Sequence, residues 1–231
     1  MPIAAVLLRG LSFCPSRGVD YELTRQNILD RLLGPLRREH EQVHVYVATY
    51  ESPTLPELLA FFGPVFGVVA LPANDPKSTQ ADAFRRGLEA VRASGIAYDT
   101  VVASRFDVEY ALPWDSWPLP PLEDSVCVLW KEKGHRDYVC DVLFVFPGRF
   151  LDLLISRARA IAREKHMHGI FLDHARGLLP TRVMYPEVRR ESNTDIEANP
   201  FYRIVRTVDR KVEVPKNKHP FFGRFVGVPS F

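Results

Sequence analysis

Thr100-Val101-Val102-Ala103-Ser104-Arg105-Phe106-Asp107-Val108-Glu109 is the stretch whose reading decides the fold. Its first four residues read as a short buried strand, because β-branched side chains suit a pleated, covered surface. The acidic pair then sits just beyond the strand, before the loop residues Tyr110, Leu112, Pro113 and Trp114. In open α/β sheets ligands bind outside the carboxyl ends of the strands. Residues i and i+2 leaving a strand point to one side, so Asp107 and Glu109 are expected to converge. Two such carboxylates can hold a divalent cation, and Mg²⁺ commonly joins one or two carboxylates to phosphate oxygens. The plainer alternative is a solvated loop with two acids.

Working upstream, the same rhythm repeats. Ile3 to Leu8 is a near-continuous apolar run, as expected of a central strand covered on both faces. Tyr21, Ile28, Leu29, Leu32, Leu33 and Leu36 recur at helical spacing up to Glu39. Val43 to Ala48 reads as the second strand, ending in Thr49-Tyr50, and Val65 to Leu71 as the third. Between them, Thr54-Leu55-Pro56-Glu57 has the form of a capping box with proline in the first turn, so a short helix runs to about Phe62. Ala81, Phe84, Leu88 and Val91 form the buried stripe of a further helix that Gly95 ends. The order β-α-β-α-β-α-β predicts an α/β fold, a Rossmann-like, mainly parallel sheet flanked by helices in a single domain.

Downstream the rhythm changes. Trp114 to Asp124 is a proline-rich loop, and Val126 to Trp130 and Asp141 to Phe146 read as two strands of undetermined hand. Phe150 to Lys165 is an amphipathic helix, a second helix is expected over Ile170 to Gly177, and Arg182 to Tyr185 reads as a late strand. From Glu187 the chain is polar, basic and proline-punctuated, with Phe221, Phe222 and Phe225 as expected anchors. Residues 1–114 form the expected ligand-binding half, and 115–231 a second region with a basic C-terminal segment.

Composition narrows the function classes. The 231 residues carry a net charge of +2, too small to point to nucleic acid or a membrane surface as the main partner. No apolar stretch approaches the roughly 20 residues of a membrane span. Cys14, Cys127 and Cys140 are odd in number and widely spaced, so neither a disulfide framework nor a zinc cage is indicated and a cytoplasmic location is expected. There is no GxGxxG after the first strand, no Walker loop, no GxSxG elbow and no HExxH.

The order "VVASRFDVEY" after "TQADAFRRGLEAVRASGIAYD", with "VYVATYES" upstream, resembles nucleotide-sugar glycosyltransferases of the GT-A fold, in particular small soluble transferase domains of large algal viruses. "SNTDIEANPFYRIVR" is similar to a segment that recurs in such proteins. The resemblance implies metal-dependent transfer of a sugar from a nucleoside-diphosphate-sugar donor to a glycan or other hydroxyl acceptor. It further implies that Asp107 and Glu109 hold Mn²⁺ or Mg²⁺ on the donor's diphosphate, with a late histidine, His168, as a further ligand. Glu109 is one methylene longer than the aspartate usual in that family. Arg9, Gly10, Thr49 and Tyr50, at the ends of the first two strands, are then expected at the nucleotide. Gly10 allows close backbone approach, Tyr50 can stack on a base, and Arg9 can face a phosphate or ribose. Arg105 can contact the donor sugar or orient the carboxylate, and would serve equally as a salt-bridge partner.

Asp141, at the lip of the strand "DVLFVF", is the expected general base of an inverting mechanism, with Asp137 and Glu132 as further candidates. A strand-capping role is the alternative. The basic residues Arg203, Arg206, Arg210, Lys211, Lys216, Lys218 and Arg224 could fold over a diphosphate or be solvated. Two other classes stay open: a sugar-phosphate nucleotidyltransferase, and a non-catalytic nucleotide-binding module of the same fold.

Overall fold

The computed structural model describes residues 2–72, 80–132, 139–162, 181–185, 189–190 and 201–205. The long apolar runs become the middle of one seven-stranded sheet. Its strands are β1 (Ile3–Arg9), β2 (Gln42–Tyr50), β3 (Val65–Leu71), β4 (Thr100–Arg105), β6 (Val126–Val128), β7 (Leu143–Phe146) and β8 (Thr181–Val183). A short strand outside the sheet, β5 (Val108–Tyr110), follows β4 and pairs antiparallel with the last one, β9 (Tyr202–Ile204). The sheet order is β8-β6-β7-β4-β1-β2-β3. β1 runs parallel to β2 and β4, β2 to β3, and β6 to β8; only β7 is reversed, antiparallel to both β4 and β6. The expected α/β architecture, a mainly parallel sheet flanked by helices, is the one observed.

Both faces are covered. Ala4, Val6 and Leu8 pack with Ile28, Leu32, Leu33 and Leu36 of α1 (residues 21–39), and with Leu58 and Phe62 of α2 (Leu55–Phe62). Ala5 and Leu7 face Ala81, Phe84, Leu88 and Val91 of α3 (Gln80–Ala93) and Leu154, Ile155 and Ala158 of α4 (Leu151–Ala162). Burial on two faces explains why β1 reads as a continuous apolar run rather than an alternating one. At the sheet edge, β3 alternates between half-buried and exposed residues, leaving Phe66 and Val68 open to solvent.

Two local features set how closely the layers meet. The first helix begins as a 3₁₀ turn, Tyr21–Leu23, whose Glu22 N–H donates to the Asp20 carboxylate at 3.0 Å. It continues as Arg25–Ile28, a π-helical turn Leu29–Leu33, and Gly34–Glu39, together α1. Pro35 supplies the reason for the wide turn: it has no N–H for the carbonyl four residues back, and its ring pushes that carbonyl away. On the other face, Gly87 in mid-α3 lets the helix rest on the sheet. A Cβ there would stand 2.6 Å from Leu7 Cδ1 and 3.0 Å from Ala48 Cβ.

No described helix is long and apolar enough to cross a membrane. The expected helix over Ile170 to Gly177 and the chain from 206 onward lie outside the described residues.

Candidate functional site

The strand order places the topological switch point between β1 and β4. β1 continues through β2 to β3, whereas β4 leads to β7 and β6, so the connections diverge there. In open α/β sheets such a divergence is where ligands bind. The residues that end these two strands are both arginines: Arg9 and Arg105 are register partners on adjacent strands. Each continues the buried phase of its strand, Arg9 after Ala5 and Leu7, Arg105 after Val101 and Ala103.

A guanidinium in a buried phase must find partners, because an unpaired buried charge is strongly destabilising. Arg105 finds two. Its Nε and Nη2 donate to Asp107 Oδ1 and Oδ2 at 2.8 and 2.7 Å, a two-point fork, and its Nη1 lies 3.7 Å from Asp141 Oδ1. Arg9 Nη2 donates to the Asp141 backbone carbonyl, and the Arg9 guanidinium carbon lies 5.1 and 5.4 Å from the rings of Phe84 and Phe144. Asp141 reaches the cluster because β7 is reversed: its amino end lies beside the carboxyl end of β4, with Leu143 opposite Ser104. All four side chains are buried, with no more than 5% of any residue exposed. Two positive and two negative charges thus share one covered site.

The electrostatics differ between the two arginines. Burial pushes Arg9 down to about 10, with Asp141 pulling against it and Arg105 adding to it. Burial also works against Arg105, but Asp107 and Asp141 outweigh it and hold its pKa above the usual arginine value. Arg9 Nε and Arg105 Nη1 are buried and donate no hydrogen bond among the described residues.

The acidic pair divides between two partners. Asp107 lies in the turn between β4 and β5 and folds back onto Arg105, while Glu109, in mid-β5, pairs with Arg203 on β9. The Arg203 side chain is 63% exposed and that of Glu109 29%, so this pair belongs to the rim. The backbone seals the same place, since Val205 N donates to Asp107 O at 2.9 Å. As arranged, these residues do not fit a divalent cation: both Asp107 oxygens are taken by one arginine and Glu109 by another. Among the described residues, no group of three or more His, Cys, Asp or Glu side chains could hold a metal ion. His168 lies outside the described residues.

Gly10 turns the chain out of β1 with a φ of +94°, a conformation glycine adopts without strain, and its N–H donates to Ala48 O at 3.0 Å. Thr49 is buried and donates to Ser12 Oγ at 2.8 Å; Tyr50 is half-buried at the end of β2, beside Leu71. The sequence-expected residues of the first two strands therefore do gather at one end of the sheet. Not anticipated is the aromatic wall beside the cluster: Trp130 stacks on Tyr202 with centroids 5.5 Å apart and planes 1° from parallel. Cys140, next to Asp141, places its Sγ 3.5 Å from the Tyr202 hydroxyl. Burial first, and then the Cys140 thiol, push the Tyr202 phenol well above its ordinary pKa, so it stays protonated. A signal for the ion cluster was present in the sequence: an arginine that continues the buried phase of a strand, two residues before an aspartate.

No protein-family model matches the chain, and no curated protein matches it. Solved structures do. One is a provisionally assigned nucleotide-diphospho-sugar transferase from Desulfovibrio desulfuricans G20, with TM-score 0.52 and 17% identity, covering 99% of this chain and 93% of that one. Another, the nucleoside-diphosphate-sugar pyrophosphorylase from Vibrio cholerae RC9, gives TM-score 0.48 and 10% identity over 82% of this chain and 92% of its own. At these identities what the chain shares with the first of them is the fold.

Proposed function

We propose that the protein is a glycosyltransferase that takes a nucleoside-diphosphate sugar as donor and passes the sugar to a hydroxyl acceptor with inversion. The observation that carries this reading is the buried Arg9–Arg105–Asp107–Asp141 cluster at the divergence of β1 and β4. Paired guanidinium groups at the switch point suit a diphosphate, whose oxygens accept charge-assisted hydrogen bonds. The reversed strand adds a carboxylate, Asp141, to the same place. In the proposed reaction the acceptor oxygen bonds to the anomeric carbon as the bond from that carbon to the phosphate oxygen breaks. The hydroxyl proton goes to the Asp141 carboxylate, and the leaving group is the nucleoside diphosphate. Positioned proton transfer of this kind contributes about 10²–10⁴-fold.

Nothing in the loop after β1 favours nucleotidyl transfer. That chemistry must grip a triphosphate, and here the chain leaves Gly10 into a small hairpin, Phe13–Cys14 with Val19–Asp20. The deciding experiment incubates the full chain with a panel of nucleotide sugars and simple glycoside acceptors and analyses the products. Free nucleoside diphosphate and an extended acceptor, both lost in Asp141→Asn, are expected. Formation of a nucleoside triphosphate from nucleotide sugar and pyrophosphate would instead identify a nucleotidyltransferase.

A further inference from the structure

We propose that Asp107 and Glu109 hold no divalent cation, and that the positive charge a nucleoside diphosphate needs at this switch point is supplied by Arg9 and Arg105. For its ligand the inference rests on the transferase reading above; for the rest it rests on the ion pairs. Hard cations are bound by oxygen lone pairs that converge on one centre. Here the lone pairs are spent. Asp107 gives one oxygen to Arg105 Nε and the other to Nη2, with both side chains no more than 6% exposed. A cation at Asp107 would have to displace that fork and would then stand beside the freed guanidinium in a covered site. Among the described residues, the remaining carboxylate within reach of Arg105 is Asp141, at 3.7 Å. Glu109 is turned to the rim by its place in β5 and meets Arg203, its register partner on β9.

The arginines, in contrast, have capacity to spare. Among the described residues, Arg9 Nε and Arg105 Nη1 are buried N–H donors without an acceptor, a condition that costs free energy until an acceptor arrives. They belong to register partners on neighbouring strands, whose backbones lie about 4.8 Å apart. A guanidinium is planar, permanently charged and weakly hydrated, which makes it the side chain best suited to a buried phosphate. Arg105 would donate from Nη1, and Arg9, lying over the packed rings of Phe84 and Phe144, would add its field from behind. The tripeptide that looks like a metal motif is, on this view, the counter-charge that lets two arginines be buried at a phosphate site.

Two titrations of the full chain test this. In the first, free Mn²⁺ is followed by its electron paramagnetic resonance signal as EDTA-stripped and dialysed protein is added. An undiminished signal is expected, and loss of signal that Asp107→Asn restores overturns the claim about the acidic pair. In the second, UDP and GDP are titrated calorimetrically, once in EDTA and once in Mn²⁺. Equal affinity in both buffers is expected, with Arg105→Lys, which keeps the charge but not the fork, binding about tenfold more weakly. Binding that needs Mn²⁺ overturns the inference and leaves the transferase reading standing. Binding of neither nucleotide in either buffer overturns the arginine assignment and counts against the transferase reading, while the Mn²⁺ signal still decides the acidic pair. If Arg105→Lys does not fold, the wild-type titrations decide alone.

Discussion

Asp107 with Arg105 and Glu109 with Arg203 are two acid–arginine pairs drawn from one tripeptide, and they live in opposite environments. The inner pair is bidentate and covered, with side chains 5–6% exposed; the outer one sits at the rim, with Arg203 63% exposed. Their partners differ in range as well. Arg105 is two residues from Asp107, whereas Arg203 arrives from a strand 94 residues away. Identical chemistry therefore does different things: the inner pair makes a buried positive charge tolerable, and the outer one locates a strand. Solvent decides which. Water screens the outer pair to little net value, and its exclusion makes the inner one costly to break.

The largest effect that can break this contrast is removal of the inner acid. Asp107→Ala leaves Arg105 buried with Asp141, among the described residues, as its one carboxylate partner and is expected to cost about 3–5 kcal/mol, read as a fall in urea midpoint at unchanged slope. A cost below about 1 kcal/mol would place the inner pair in the same class as a surface bridge. Next comes Asp141→Asn, which keeps the backbone carbonyl that Arg9 uses and removes the base. Turnover is expected to fall at least about 10²-fold with donor affinity nearly unchanged, a split that steady-state kinetics with product analysis resolves. Gly87→Ala sharpens the contrast from the scaffold side. The added methyl meets Leu7 at 2.6 Å and is expected to cost about 1–3 kcal/mol in thermal unfolding, without changing which nucleotide binds. Smallest is Arg203→Ala, at about 0–1 kcal/mol and vanishing in high salt; a loss as large as that of Asp107→Ala would erase the distinction drawn here.

The scaffold was legible because it is written in burial. Ile3 to Leu8, Val43 to Ala48, Val65 to Leu71 and Thr100 to Ala103 all mark strands that the structure extends by at most two residues at either end. Those extensions matter, since they add Arg9, Thr49, Tyr50 and Arg105 to the strands themselves. Charged ends of buried strands look like loops to any reading based on apolar runs. The hand of β6 and β7 was open in the sequence, because short apolar strands carry no mark of direction; pairing across β4 settles it as antiparallel. The partners of the acidic pair were legible only in part: Arg105 could be named as a salt-bridge partner of Asp107, Arg203 as a partner of Glu109 could not. Whether Asp107 turns outward or back onto Arg105 depends on two turn residues, Phe106 and Asp107, whose backbone no periodicity encodes. Nor could β9 be anticipated: three residues after a long polar segment become a strand only because β5 offers an edge.

The distance along the chain between Glu109 and Arg203 has a consequence for how the molecule is made. The Arg105–Asp107 fork needs only a local turn, so it can form as soon as β4 has a neighbour. The rim contact closes a loop of 94 residues, and loop closure of that span is paid before the contact returns anything. At translation rates of about 5–20 residues per second, β5 waits on the order of 5–20 seconds for β9 to be synthesised. During that interval the nascent chain presents β5 without its β9 partner beside the charged cluster. The half of the protein whose strands are plainest in sequence is thus, in time, the half that needs shelter.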